Sequence, residues 1–347
     1  MNLMDQVLIA SLDNFYENSV SVQDLNFELA IPKFRENKVS LERLSQIVDT
    51  SSEKVIQREV DRDKISRRKW LLLFKFTVQL FKSQDVQYVF IKLLNYPWAI
   101  MDDLDVLPLN ATEELKALEA LHKLGFELFQ FRLLAHPLKI MAVEAEANVE
   151  QKISVDFYPE LLWVRKKVCD TEIIFARKRT SSINGIEVPV PSPEDDLYLV
   201  GTHAYNHLKF TLAEILHGLN ILSNNSNFDW DYLYNLATDY GTVDAIYAYI
   251  KSMDVYSKFF RKQSTVNEDI LVKFQRARLC KKIDSWFKNK YLKTISFPIC
   301  ISSRIACIYS SFYHCGTMLG RMPLSELTND FLSHYLVLSS KIILGKT

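Results

Sequence analysis

The hydrophobic pattern of this chain changes period twice, and that change constrains the fold more than any other feature. From residue 85 to residue 190, apolar residues come in short runs with a spacing of two, bounded by turn residues. That is how strands read. On both sides they recur at three and four, as on one face of a helix. The pattern predicts an α+β chain in three regions. These are a helical N-terminal region (1–84), a mixed sheet of about five strands with helices (85–190) and a helical C-terminal domain (191–347).

In the first region, SLERLSQIV (40–48) and SSEKVIQREVDR (51–62) read as two helices around an Asp49-Thr50 turn. Helix, short turn, helix fits half of a helix-turn-helix or winged helix, and equally any small helical domain. An amphipathic helix over 66–83 follows, with Trp70, Leu73, Phe74, Thr77, Leu80 and Phe81 on one face. In the second region, strands are predicted at 88–91, 103–107, 126–133, 139–145 and 152–158. Asn110 is placed to cap a helix, Glu113 to complete a capping box, and Gly125 to end it. Ile173-Ile174-Phe175 and Ile186-Glu187-Val188 read as a closing hairpin near Asn184-Gly185. In the third region, Ser192 is a good N-cap, Pro193 suits the first helical position, and Glu194 to Asp196 suit the positive helix end.

Composition removes several function classes. The chain of 347 residues has only 8 glycines. Phosphate-cradling loops need clustered glycines so that backbone N–H groups can approach the anion. The closest pair, Gly316 and Gly320, makes neither a Walker A loop nor a dinucleotide fingerprint, and no Gly-x-Ser-x-Gly elbow occurs. A nucleotide handled here would be held through a metal. Basic and acidic residues balance at 42 each, so global charge favours no class of partner. Cys169, Cys280, Cys300, Cys307 and Cys315 form no Cys-x-x-Cys pair and read as buried, reduced thiols. The N-terminus lacks the pattern of a signal peptide, and no stretch reaches the ~18 uncharged apolar residues of a membrane span. The expectation is a cytoplasmic protein without a membrane partner.

Asp103-Leu104-Asp105 has the most chemical content. Residues two apart in a strand point the same way, so both carboxylates project to one side. Asp156 sits mid-strand among apolar neighbours in Ile153-Ser154-Val155-Asp156-Phe157. A carboxylate there needs a partner, because an unpaired buried charge is costly. Three carboxylates on adjacent strands can hold one or two Mg²⁺ ions, or Mn²⁺, as hard oxygen ligands. Taken alone, an Asp-x-Asp strand reads equally as a solvated edge or a pair of ion-paired aspartates.

The order of the segments adds to this. YVFIK (88–92), DDLDVLP (102–108) and ISVDFYPEL (153–161), followed by VPSPEDDLYLVGTHAYNH (190–207) and FDWDYLYNLATDYG (228–241), resemble the nucleotidyltransferase superfamily. Within it, they are most similar to a large family of poorly characterised bacterial and archaeal members. The resemblance implies a nucleotidyltransferase-like mixed sheet and transfer of a nucleoside monophosphate from an NTP to an acceptor hydroxyl, with release of pyrophosphate. It implies that Asp103, Asp105 and Asp156 are catalytic and hold Mg²⁺, and that Lys92, with Asn95, contacts the nucleotide. The family follows its first strand with small residues; this chain has Leu93-Leu94 after Lys92. Leucine gives neither close backbone approach nor freedom at positive φ. A second reading is therefore a catalytically degenerate module that keeps the fold and binds nucleic acid or a protein.

Three further groups stand out. His203 and His207 share a helix face, as a metal or substrate pair or as structural residues. The segment 273–293 is strongly basic, with Phe274, Trp286, Phe287 and Tyr291 interleaved and only Asp284 opposing. It reads as a surface for an RNA or protein acceptor, or as an ordinary amphipathic helix. Arg165-Lys166-Lys167 and Arg177-Lys178-Arg179 are either triphosphate contacts or plain surface.

Overall fold

The structure is a computed structural model. It describes residues 31–32, 34–35, 37–42, 54–94, 99, 101, 103–130, 138–142, 154–163, 166–206, 209–260, 264–275 and 297–298. All of them lie in the first of two compact units, Met1–Cys300.

Helix α1 (Lys54–Ser83) organises the sheet. Two separate helices were expected over 51–62 and 66–83, and they are one. Asp63-Lys64-Ile65 contains neither glycine nor proline, so nothing interrupts the hydrogen-bond ladder between them. The Asp49-Thr50 turn lies outside the described residues. Asp63 points back to the preceding segment, where its carboxylate accepts the Leu41 N–H (2.7 Å) and pairs with Arg35. The helix ends with Asp85 in the left-handed region (φ 49°) and the Val86 N–H on the Phe81 carbonyl. That closure usually takes glycine.

The chain then builds β1 (Tyr88–Phe90), β2 (Asp103–Pro108), α2 (Ala111–Lys123), β3 (Phe126–Gln130), β4 (Leu138–Ala142) and β5 (Ser154–Phe157). The five strands form one mixed sheet in the order β1-β2-β5-β4-β3. Only β2 and β5 run parallel; the other neighbours are antiparallel. The Asn110 side chain caps α2 by accepting the Glu113 N–H (3.1 Å). The expected capping box is only half made. The Glu113 carboxylate turns to the Gln87 N–H (2.7 Å) and to Lys116, and so ties α2 to the start of β1.

Period-two alternation sorts the strands into two chemistries. Phe90, Leu104, Val106, Val155 and Phe157 face α1, where Trp70, Phe74 and Phe81 pack on them. Phe74 meets Phe90 at 5.2 Å and Phe81 meets Phe157 at 6.2 Å between ring centres. Each such ring withdrawn from water contributes roughly 1.5–3 kcal/mol. The intervening positions, including 103, 105, 154 and 156, face away from this core.

Beyond the sheet come β6 (Leu161–Trp163), β7 (Lys166–Cys169), α3 (Thr171–Ala176), β8 (Arg179–Ile183) and β9 (Ile186–Val190). The hairpin at Asn184-Gly185 forms, with both residues at positive φ as its tight turn demands. Its first strand is β8, however. Ile173-Ile174-Phe175, expected as that strand, lies in α3. A three-residue apolar run does not separate strand from helix, and here only Ile174 is buried.

The remainder is helical: α4 (Pro193–Asn206), α5 (Leu212–Asn224) after the small strand β10 (Lys209–Phe210), then α6 (Trp230–Asp239), α7 (Val243–Phe260) and α8 (Glu268–Phe274). Strand β11 (Phe297–Pro298) pairs with β10. Ser192 caps α4 as expected, accepting the Asp195 N–H (3.2 Å). The acidic residues behind it also tie helices together. Asp195 accepts the Tyr232 hydroxyl (2.6 Å), Glu194 pairs with Arg177 (2.8 Å), and Asp196 meets His217 Nε2 (3.1 Å). Helices α4 and α5 both approach α7 closely at glycine. A Cβ on Gly201 would lie 2.7 Å from the Tyr249 ring, and one on Gly218 would lie 2.5 Å from Met253 Sδ. Among the described residues no helix is long and apolar enough to cross a membrane.

Candidate metal centre

The acidic centre follows from the register of one strand pair. Parallel pairing of β2 with β5 sets Asp105 opposite Asp156 and Asp103 opposite Ser154. The three aspartates lie on the face away from α1. One carboxylate oxygen from each can be chosen so that all three lie within 4.8 Å of one another. Asp105 and Asp156 are buried and Asp103 is half-buried. Among the described residues this is the one group of three or more acidic, histidine or cysteine side chains so arranged.

Neighbours fix each member. The Trp70 indole N–H donates to the Asp103 carbonyl oxygen (3.0 Å), so α1 holds the start of β2. The Ser154 hydroxyl donates to Asp156 Oδ1 (2.7 Å). Lys92 Nζ lies 2.9 Å from Asp105 Oδ1 and donates to the Tyr158 hydroxyl at 2.9 Å. The same Nζ sits 4.3 Å above the Tyr158 ring centre. The Lys92–Asp105 contact is an ion pair by distance. Asp105 Oδ1 is otherwise a buried oxygen with no hydrogen-bond partner.

Burial dominates the electrostatics. It pushes the Asp105 carboxyl up to about 7, against the pull of Lys92, and the charges of Asp103 and Asp156 push the same way. Burial, followed by the same three carboxylates, holds the Tyr158 phenol well above its usual value, so it stays protonated.

The donor set suits a hard cation. Among the described residues the group holds three carboxylates and no imidazole or thiolate, a donor set that suits oxygen-preferring ions such as Mg²⁺, Mn²⁺ or Ca²⁺. Asp105 Oδ1, buried and without a hydrogen-bond partner but ion-paired with Lys92 Nζ, is an oxygen that such an ion would share with that ammonium. The cluster could therefore hold a metal ion.

The other expected contacts fall out differently. Lys92 is at the centre, but its ammonium is turned to Asp105 and Tyr158. Positive φ falls on Lys92 itself (54°), and both Leu93 and Leu94 are buried. A left-handed residue other than glycine costs about 1 kcal/mol or more. Asn95 and His207 lie outside the described residues, as does 276–293 of the basic segment. His203 is half-buried on α4. Lys273 pairs with Asp231 and sits 4.9 Å over the Tyr234 ring. Lys167 pairs with Asp170. Arg177 stacks on the Tyr232 ring at 3.7 Å while pairing with Glu194, Lys178 lies over the Phe175 ring, and Arg179 donates to the Pro191 carbonyl. Cys169 is buried, and burial pushes its thiol up to about 12.

Sequence reasoning passed over Ser154, Tyr158 and Trp70. The first two stand two residues either side of Asp156, so strand alternation starting from that aspartate would have found them. Trp70 carried no such signal, because its role comes from how α1 lies on the sheet. No family model, curated protein or solved structure matches this chain.

Proposed function

We propose that this protein is a Mg²⁺-dependent nucleotidyltransferase that moves a nucleoside monophosphate from an NTP to an acceptor hydroxyl. The observation that carries the reading is the β2–β5 register, which gathers Asp103, Asp105 and Asp156 on one buried face. The order of the surrounding segments, which resembles that superfamily, adds to it. In this reaction the acceptor oxygen bonds to the α-phosphorus. The bond from that phosphorus to the pyrophosphate oxygen breaks, pyrophosphate leaves with that electron pair, and the hydroxyl proton passes to solvent.

Asp103, Asp105 and Asp156 would hold the ion. Bound there, Mg²⁺ supplies charge neutralisation for the phosphates and acidifies an attacking hydroxyl. The chain's own contribution is preorganisation. Ser154 fixes the Asp156 carboxylate, Trp70 anchors β2 at Asp103, and the apolar core behind the strands keeps the three carboxylates in place without solvent reorganisation. The acceptor is an RNA end or a protein side chain.

A label-transfer assay tests this. Purified protein with Mg²⁺ or Mn²⁺ is offered each α-labelled NTP together with RNA and protein from the source cells. Label passing to a macromolecule with wild type and not with Asp105→Asn is the expected result. Absence of transfer from every NTP would favour the second reading, a degenerate module that binds without turnover. Buried Leu93 and Leu94, where the superfamily has small residues, support that alternative.

A further inference from the structure

Lys92 is an odd residue to find where it is. It stands two residues beyond β1, in a left-handed backbone conformation that a residue with a Cβ seldom takes. Its side chain is only 7% exposed. An ammonium withdrawn from water in this way persists only when partners replace the lost hydration. Here the partners include the Asp105 carboxylate and the Tyr158 hydroxyl, each at 2.9 Å, and the face of the Tyr158 ring. A lysine meant only to reach out to a phosphate needs neither the strained backbone nor this enclosure. Strain held in place by packing marks a position where the aim of the side chain matters.

Charge points the same way. The three carboxylates and one ammonium together carry minus two when all are ionised. One divalent ion brings that group to zero; two would bring it to plus two, with the ammonium facing a dication in a site of low dielectric.

We infer that Lys92 is the resident monocation of the acidic centre. Its ammonium stands beside Asp105 where a second divalent ion would otherwise stand, and the centre takes a single divalent ion. Tyr158 is the positioning residue that keeps the ammonium there. The inference deepens the proposed function and depends on it only for the presence of a metal. It also changes the work assigned to Lys92. In the nucleotide-free protein the lysine balances charge among the carboxylates, so a nucleotide is not needed to see its effect.

The test is a Mn²⁺ titration of the full-length chain without nucleotide, with free Mn²⁺ followed by electron paramagnetic resonance and folding checked by circular dichroism. Wild type is expected to bind one Mn²⁺ per chain. Lys92→Met, which keeps length and removes charge, should bind at least about tenfold more tightly or take up a second ion. Lys92→Arg should keep the wild-type count. If Lys92→Met fails to fold, Lys92→Gln removes the charge while keeping a donor for Tyr158, and carries the same expectation. Two ions on wild type, or affinity that is unchanged or weaker in the neutral variants, would overturn the inference while leaving the metal centre standing. No Mn²⁺ bound by wild type or by any variant would remove the metal reading, and this inference with it.

Discussion

Asp105 on β2 and Asp156 on β5 are register partners across the one parallel pairing of the five-stranded sheet, with both carboxylates buried on the same face. Two acids so placed oppose folding unless a cation or a proton relieves them. That conflict is the source of the first two predictions.

The metal-free protein should lose stability as pH rises from 4 toward 7. Asp105 is raised from its ordinary 3.8 to about 7, so between those values the folded state holds a proton that the unfolded state has released. Stability from this group is therefore fully present below 3.8 and is lost as pH rises through 7. Thermal melts of wild type and Asp105→Asn across pH 4–8 should show their difference shifting against wild type over that window and levelling above it. A difference independent of pH would contradict the assignment.

Mg²⁺ or Mn²⁺ should reverse that loss. At pH 8 a hundredfold excess over Kd should stabilise wild type by about 2.7 kcal/mol. Asp105→Asn and Asp156→Asn should show little or no shift. Binding should weaken below pH 7, since the ion must then displace the Asp105 proton. Calorimetry in two buffers of different ionisation enthalpy reads that proton directly.

Tyr158→Phe deletes the acceptor for Lys92 Nζ and keeps the ring beneath it. Leaving a buried ammonium short of one partner should cost about 1–3 kcal/mol, read by urea unfolding of the metal-free protein. A neutral result would mean that water reaches Lys92.

Gly201→Ala should destabilise the helical region by about 1–3 kcal/mol, because its Cβ would fall 2.7 Å from the rigid Tyr249 ring. Gly185→Ala, at φ 77° with nothing near its Cβ, should lose only about 1 kcal/mol, through the backbone alone. Equal losses from both would argue against close packing of α4 on α7.

These predictions draw on features of unequal visibility in the sequence. Strands β1, β2 and β5 and the common face of Asp103 and Asp105 were legible, since alternation is a local property of the chain. So were the Asn110 and Ser192 caps and the Asn184-Gly185 turn, each fixed by a few adjacent residues. The continuity of α1 through Asp63 was missed, although none of the charged residues at 61–64 breaks a helix. Ile173 to Phe175 was misread because three apolar residues fit either period. The contacts of Lys92 were not legible, although alternation from Asp156 reaches position 158 itself. They depend on the turn after β1 folding back to β2 and on Tyr158 arriving from β5, and neither contact has a sequence spacing to announce it.

The parallel pairing also sets an order of events. The β3–β4 hairpin is local, whereas β2 must wait for β5 to return from residue 154. Long-range pairings of this kind close late, after the loop entropy between them has been spent. In that order the carboxylates would stay apart through early folding, and their repulsion would fall on the docking of β5 onto β2. Divalent ions in a refolding buffer would accordingly quicken that last step and leave hairpin formation unchanged, so the acidic face would serve as a folding checkpoint before it serves any substrate.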